Sequence, residues 1–193
     1  ASDILFGTPS PVRSRANLGV LGAKTVNVLV HGHEPALSEM LAIASRDPEI
    51  VAEAKAAGAE GVTLAGICCT ANEILIRHGI PVAGNFLQQE LAIITGAVEM
   101  LITDVQCVMP SLPDVAQAYH TEVVSTSDIA KTIGSTSLLF DEEHAMDSAR
   151  ALLRRAIANF KNRNPRKVAI PKASQPLVAG FSVAAIKYML GGT

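Results

Sequence analysis

Short apolar runs alternate with amphipathic stretches along this chain, and the two patterns predict different elements. Apolar runs rich in β-branched residues are typical of buried strands, and apolar residues spaced three and four positions apart are typical of helices. The runs predict strands over residues 25–30, 61–66, 80–83, 100–107, 122–124, 137–140 and 168–170. Residues 1–24 contain two prolines and several glycines, and we predict that they are irregular.

Helices are predicted between and after these strands. Pro35 suits the first turn of one helix, which an apolar stripe extends to about residue 44. Asp47 and Pro48 mark the start of the next helix, and Gly58 marks its end. Further segments are predicted over residues 70–78, 87–98, 111–118, 127–133, 141–160 and 183–190, with Asp141 as the cap of the longest. The alternation predicts an α/β fold, a mostly parallel sheet with helices on both faces.

The stretch Gly66-Ile67-Cys68-Cys69-Thr70-Ala71-Asn72-Glu73 follows one of the predicted strands directly. Thr70 and Glu73 have the spacing of a capping box, which predicts that a helix starts there. Cys69 would then lie where a strand ends and a helix begins. A helix N-terminus favours negative charge, so we expect a lowered pKa for the Cys69 thiol, which suits a metal ligand or a nucleophile.

Three potential ligands follow predicted strands: His33, Cys69 and Cys107. The carboxyl ends of parallel strands meet at one rim of the sheet, so we expect these side chains on the same rim. Their spacings of 36 and 38 positions match no zinc ribbon or finger. Thiolates with an imidazole suit zinc, copper or iron–sulfur chemistry, and small buried cysteines are the alternative. His33 is preferred over the hydrogen-bonding candidate His31, and Cys69 over Cys68, although the sequence does not exclude His31 or define the role of Cys68.

Composition narrows the class of protein. The net charge of −2 and the absence of Trp argue against a nucleic-acid partner. No apolar run is long enough to span a bilayer, and three cysteines, an odd number, argue against a disulfide framework. Neither G-x-G-x-x-G nor a P-loop motif is present, which disfavours a nucleotide site. The remaining histidines are expected on the surface: His78, His120 and His144.

Several motifs together resemble the catalytic subunit of anaerobic nickel–iron carbon monoxide dehydrogenases, in the hybrid-cluster protein/CO dehydrogenase superfamily. The motifs are His31-Gly32-His33-Glu34-Pro35, Gly66-Ile67-Cys68-Cys69-Thr70-Ala71-Asn72-Glu73, Arg77-His78-Gly79-Ile80-Pro81 and Asp104-Val105-Gln106-Cys107. Two terminal motifs add to them: Asp3-Ile4-Leu5-Phe6-Gly7-Thr8-Pro9 and Val178-Ala179-Gly180-Phe181-Ser182. The resemblance covers essentially the whole chain. It implies that residues 1–193 are a single Rossmann-like three-layer (αβα) sandwich domain, a segment of a longer multidomain chain.

The resemblance also implies a function. Such enzymes interconvert CO and water with CO₂, two protons and two electrons at a nickel–iron–sulfur C-cluster. His33 and Cys69 would hold the iron outside the cubane part of the cluster, and Cys107 would hold an iron of the cubane. The remaining ligands, the proton relay and further 4Fe-4S clusters belong to parts of the family's chain outside this segment, so we expect the segment alone to be inactive.

Two alternatives stay open at this point: a hybrid-cluster-type reductase domain, and a Rossmann-like binding module with structural cysteines. The resemblance further implies a homodimer of the full chain and an electron carrier such as ferredoxin. A cytoplasmic location, with peripheral membrane association as a further option, is also expected. No nucleic-acid partner and no transmembrane segment are expected.

Overall fold

Eight strands form one sheet in the computed structural model, which describes residues 2–191. They are β1 (Val12–Ala16), β2 (Val26–His31), β3 (Val62–Ile67), β4 (Val82–Gly84), β5 (Val98–Thr103), β6 (Glu122–Ser125), β7 (Thr136–Ser137) and β8 (Gln175–Ala179). Their order across the sheet is β7-β6-β5-β2-β3-β4-β1-β8. Neighbouring strands are parallel except β1 and β8, which are antiparallel. The predicted mostly parallel α/β sheet is therefore confirmed.

Helices cover both faces of this sheet. They are α1 (Ser2–Phe6), α2 (Pro35–Ala44), α3 (Pro48–Ala56), α4 (Cys68–Glu73), α5 (Gln89–Ile94), α6 (Leu112–Ala116), α7 (Ala145–Asn159) and α8 (Val183–Met189). Central strand β2 shows why two layers are needed, because all six of its residues are buried. Val28 and Val30 pack into a cluster with α2, α3 and α7, whereas Leu29 packs into a second cluster with α5 and α6. The three-layer αβα arrangement is confirmed.

The longest helix, α7, packs against α2 and α3 with an apolar stripe that includes Leu152 and Leu153. Its polar side forms ion pairs, among them Arg150 with Asp47 at 2.7 Å. Asp47 also accepts the amide of Glu49 and so caps α3, as the sequence predicted. With α7 at 15 residues, no helix between residues 2 and 191 is long and apolar enough to cross a membrane.

The predictions for residues 1–24 and 168–170 were wrong, whereas the helix predicted over 183–190 is present as α8. Residues 1–24 contain α1 and β1, and β1 pairs with β4 on one side and with β8 on the other. The strand predicted near residues 168–170 is absent, and Ala169 makes only an isolated backbone bond to Thr95. β1 and β8 were missed because β1 is rich in arginine and serine, and because β8 contains Pro176, which only an edge strand tolerates.

Three internal boundaries also differ from the predictions. The segment predicted as a helix over 87–98 is a 3-10 turn followed by the short α5, and Val98 already belongs to β5. The helical turn predicted over residues 127–133 is a series of bends and turns without helix. The longest helix starts at Ala145, and Asp141 binds the amides of Glu143 and His144 in the preceding turn. An aspartate can stabilise such a turn by the same bonds with which it caps a helix.

Candidate metal centre

Three adjacent parallel strands, β5, β2 and β3, end side by side at one rim of the sheet. In the strand register, His31 at the end of β2 lies opposite Ile67 of β3 and Thr103 of β5. The chain continues from these ends into Gly32-His33, Cys68-Cys69 and the loop that leads to Cys107. The three ligand candidates therefore leave neighbouring strands on the same rim, although Cys107 follows the end of β5 by four residues instead of directly.

The turn after β3 differs from the predicted capping box. Helix α4 begins at Cys68, whose φ of 60° is unusual for a residue with a side chain. Thr70 is thus inside the helix and cannot cap it. Its amide donates to the carbonyl oxygen of Gly32 at 3.1 Å, and its hydroxyl bonds that of Ser38. These bonds connect the start of α4 to the turn after β2, so the wrongly predicted cap is a link between two strand ends.

The thiols of this turn have raised pKa values. Burial raises the pKa of Cys68 to about 11, and the neighbouring Cys107 and Cys69 contribute. Burial and Cys107 likewise raise the pKa of Cys69. The expectation of a lowered pKa for Cys69 is therefore wrong, because desolvation and the neighbouring Cys107 and Glu73 raise it. A coordinated metal cation would reverse this balance, since a coordinating thiol is deprotonated.

The loop that carries Cys107 is held in a strained backbone conformation. Gln106 and Cys107 have φ values of 63° and 54°, in the left-handed region that residues other than Gly, Asn and Asp rarely adopt. Two side chains hold this backbone at the Cys107 carbonyl oxygen: the amide of Gln89 and Nε2 of His31, each at 2.8 Å. The thiol of Cys107 itself is on an exposed residue. Strain of this kind typically persists where a functional group has to be aimed.

His33 is bound to the same loop. Its amide donates to Asp104 Oδ1 at 2.6 Å, and its ring Nδ1 lies 3.2 Å from the carbonyl oxygen of Val105. A histidine that ligates a metal usually donates its other ring N–H to such a carbonyl, which would leave Nε2 of His33 as the ligating nitrogen. His31 instead is fully buried, with its two ring nitrogens facing the carbonyl oxygens of Ile67 and Cys107. His31 is thus the hydrogen-bonding histidine that the sequence suggested.

A sequence profile of the Prismane/CO dehydrogenase family matches residues 1–188. The chain belongs to the Prismane/CO dehydrogenase family. This confirms the family resemblance that the rim motifs indicated.

Individual relatives of this family member agree with the assignment. Carbon monoxide dehydrogenase 1 of Methanosarcina mazei is 55% identical over 99% of this chain and 30% of its own length. A nickel-free carbon monoxide dehydrogenase structure from Thermococcus sp. AM4 matches with a TM-score of 0.95 and 51% identity, over 100% of this chain and 30% of that one. The structure of carbon monoxide dehydrogenase IV of Carboxydothermus hydrogenoformans matches with a TM-score of 0.93 and 52% identity. The match covers 98% of this chain and 30% of that one. The chain spans about 30% of the length of these relatives.

Between residues 2 and 191, no three His, Cys, Asp or Glu side chains converge closely enough to hold one metal ion. The protein ligands of an iron–sulfur cluster bind separate metal atoms, so such ligands need not meet at a point.

The sequence analysis did not single out two residues that support the site, and it placed one buried histidine on the surface. Asp104 and Gln89 both bind the backbone around the ligand candidates, yet neither was singled out. Asp104 lies in one of the motifs that carried the family resemblance, which was the available signal, whereas nothing in the sequence marks Gln89. Of the three histidines expected on the surface, His144 is exposed and His78 half-buried, but the side chain of His120 is only 7% exposed and pairs with the buried Glu99.

Proposed function

We propose that this chain donates three protein ligands, His33, Cys69 and Cys107, to the nickel–iron–sulfur C-cluster of a carbon monoxide dehydrogenase. The observation that carries the proposal is the convergence of the ends of β5, β2 and β3, which deliver these residues to one rim. Family membership and the names of the relatives support the same assignment.

The reaction proposed for the full enzyme converts CO and water to CO₂, two protons and two electrons. A bound cluster would supply a Lewis-acidic iron for water and a soft nickel site for CO. His33 and Cys69 are the proposed ligands of the iron outside the cubane, and Cys107 is the proposed ligand of a cubane iron. The chain's own contribution is to orient the His33 ring through Val105 and to present Cys107 on a strained, exposed loop.

The same proposal assigns the rest of the enzyme to other parts of the protein. Residues 1–193 would form one Rossmann-like domain of a longer chain, which agrees with their match to about 30% of the relatives. The remaining cluster ligands and the additional 4Fe-4S clusters would lie outside this segment, and the full chain would form a homodimer whose interface this segment need not carry. A ferredoxin-like carrier would accept the two electrons, and the anaerobic, cytoplasmic setting belongs to the proposal as well.

The two alternatives are less well supported. Structural cysteines would be buried apart from each other, whereas Cys107 is exposed and close enough to Cys68 and Cys69 to raise the pKa of both. A hybrid-cluster-type reductase remains in the same family, but the relatives that match at high identity are carbon monoxide dehydrogenases. The hybrid-cluster-type reductase therefore has no observation in its favour.

Ligand substitution in the full-length enzyme tests the proposal. Cys69→Ser, Cys107→Ser and His33→Asn should each lower nickel and iron content and abolish CO-dependent reduction of a dye. His144→Asn is the matched control, because His144 is exposed and paired with Asp141 at the start of α7. Variants at all three positions that kept full metal content and activity would refute the assignment.

A further inference from the structure

A single buried carboxylate joins the two turns that carry His33 and Cys107. Asp104 follows β5 directly and is 2% exposed. One of its oxygens accepts the amide of His33 at 2.6 Å and also the amide of Val105. The other oxygen accepts the amide of Glu34 at 2.8 Å. Two of these amides belong to the turn after β2 and one to the loop after β5.

From this arrangement we infer that Asp104 is a positioning residue that orients His33 and Cys107 together. The inference rests on the proposed function, because it assigns Asp104 to the same cluster site. It goes beyond that function by naming a residue that touches neither metal nor substrate. Asp104 acts through the backbone of the two turns that present the ligands.

The turn after β2 is shaped around this carboxylate. Gly32 has a φ of 145°, and a Cβ added there would lie 1.6 Å from Asp104 Oδ1. The backbone therefore approaches the carboxylate as closely as a glycine permits, which is the usual reason for a glycine next to a functional group. The next residue in the chain is His33, whose amide bonds the same carboxylate. The carboxylate therefore fixes the backbone position from which the His33 side chain extends.

The loop after β5 depends on the same group. Asp104 binds the amide of Val105, and the carbonyl of Val105 faces Nδ1 of the His33 ring. Gln106 and Cys107 then follow in the left-handed conformation. A change at Asp104 therefore affects both the orientation of the His33 ring and the start of the strained segment that ends at Cys107.

A second buried carboxylate, on the strand that Asp104 follows, shows what a purely structural role looks like. Glu99, near the amino end of β5, is fully buried and forms ion pairs with Arg163 at 2.6 Å and with His120 at 2.8 Å. Asp104, at the carboxyl end, forms no ion pair with any Lys, Arg or His side chain in the part of the chain that the structure describes. Its contacts are backbone amides of the ligand-bearing turns. Glu99 is thus a matched control for Asp104.

The test compares Asp104→Asn with Glu99→Gln in the full-length enzyme. Asn keeps the shape of Asp but replaces one acceptor oxygen by a donor, so at least one of the three amides loses its partner. We expect hydrogen exchange at the amides of residues 33, 34 and 105 to become at least about tenfold faster in Asp104→Asn. We also expect a changed electron paramagnetic resonance spectrum of the cluster. Glu99→Gln should lower the melting temperature and leave both readouts at wild-type values.

A second substitution keeps the inference testable if Asp104→Asn does not fold. Asp104→Glu retains the charge and both acceptor oxygens but displaces them by one methylene, and we expect a folded protein with an altered cluster spectrum. Wild-type spectra in every folded Asp104 variant would overturn the inference, and so would equal spectral changes in Glu99→Gln. The proposed function fails by a different result, namely wild-type metal content in the variants of His33, Cys69 and Cys107.

Discussion

The side-chain amide of Gln89 donates to the main-chain oxygen of Cys107 at 2.8 Å, across 18 positions of sequence. Gln89 is fully buried, and its own amide oxygen accepts the amide of Met109 at 3.1 Å. One glutamine of α5 therefore holds the loop on both sides of Val108. The left-handed backbone at Cys107 has an external support in addition to its local bonds.

Removal of this support should loosen the loop. Gln89→Ala removes the partner of the Met109 amide and one of the two donors to the Cys107 carbonyl oxygen, which keeps His31. An unsatisfied group costs about 1–3 kcal/mol when buried, so we expect the opening free energy of the Met109 amide, measured by native-state hydrogen exchange, to fall by about 1 kcal/mol or more. Gln117→Ala, at an exposed glutamine next to α6, should change it by less than about 0.5 kcal/mol. Equal effects of the two substitutions would contradict the role of Gln89.

The carboxyl rim was predictable because its strands are encoded locally. β2, β3 and β5 are mostly apolar, and parallel pairing brings their ends together without further information. The loop after β5 was not predictable in the same way. The strand was expected to reach Cys107 but ends at Thr103, and the positive φ values of Gln106 and Cys107 have no glycine or asparagine to announce them. Those values are maintained by Gln89 and His31, which are distant in sequence.

Contacts between residues that are distant in sequence also explain the errors around the helices. Thr70 and Glu73 have the spacing of a capping box, but Thr70 forms its bonds with Gly32 and Ser38, contacts that exist only after α4 has packed beside α2. The surface assignment of His120 failed for a related reason. Glu99 is fully buried inside the molecule and needs donors, which His120 and Arg163 supply from two other segments.

The buried pair of Glu99 and Arg163 should be far more important for stability than the pairs on the surface. Their side chains are 0% and 5% exposed, so removing Arg163 takes a permanently charged partner from a buried carboxylate, which then keeps His120 and the Asn27 amide. Arg163→Met should lower the free energy of unfolding, measured from exchange of the β5 amides, by about 3–5 kcal/mol. Arg154→Met, which breaks exposed pairs with Glu49 and Glu53, should cost less than about 1 kcal/mol. A similar loss in both variants would contradict this distinction.

Asp141 and His144 form an exposed pair that should respond to pH. The hydrogen bond that His144 Nδ1 donates to the Asp141 carboxylate raises the pKa of His144 above its ordinary 6.5, and the same bond lowers the pKa of Asp141 below 3.8. The His144 contribution to stability is complete below pH 6.5 and is lost as the pH rises through its raised pKa. The Asp141 contribution is present above pH 3.8 and is lost as the pH falls through its lowered pKa.

An NMR titration of the His144 ring checks this pair. In Asp141→Asn the pKa of His144 should move down toward 6.5, because the anionic acceptor is gone. The ring of His78, which pairs with Glu39 on a different part of the surface, serves as an internal reference, and its chemical shifts should be the same in both proteins. An unchanged His144 titration in Asp141→Asn would show that the pair does not form in solution.

Residues 1–193 alone should fail to assemble the complete cluster. They supply three proposed ligands, and the described part of the chain holds no three His, Cys, Asp or Glu side chains close enough together to bind even a single ion. The strained Cys107 loop is held by the protein itself, through Gln89 and His31, so the rim should keep its shape without metal. After reconstitution with iron, sulfide and nickel and removal of loose metal, we expect little bound iron and no nickel. The full-length protein, treated identically, should retain both metals. A stable nickel-containing cluster on the isolated chain would mean that this rim provides more of the site than three ligands.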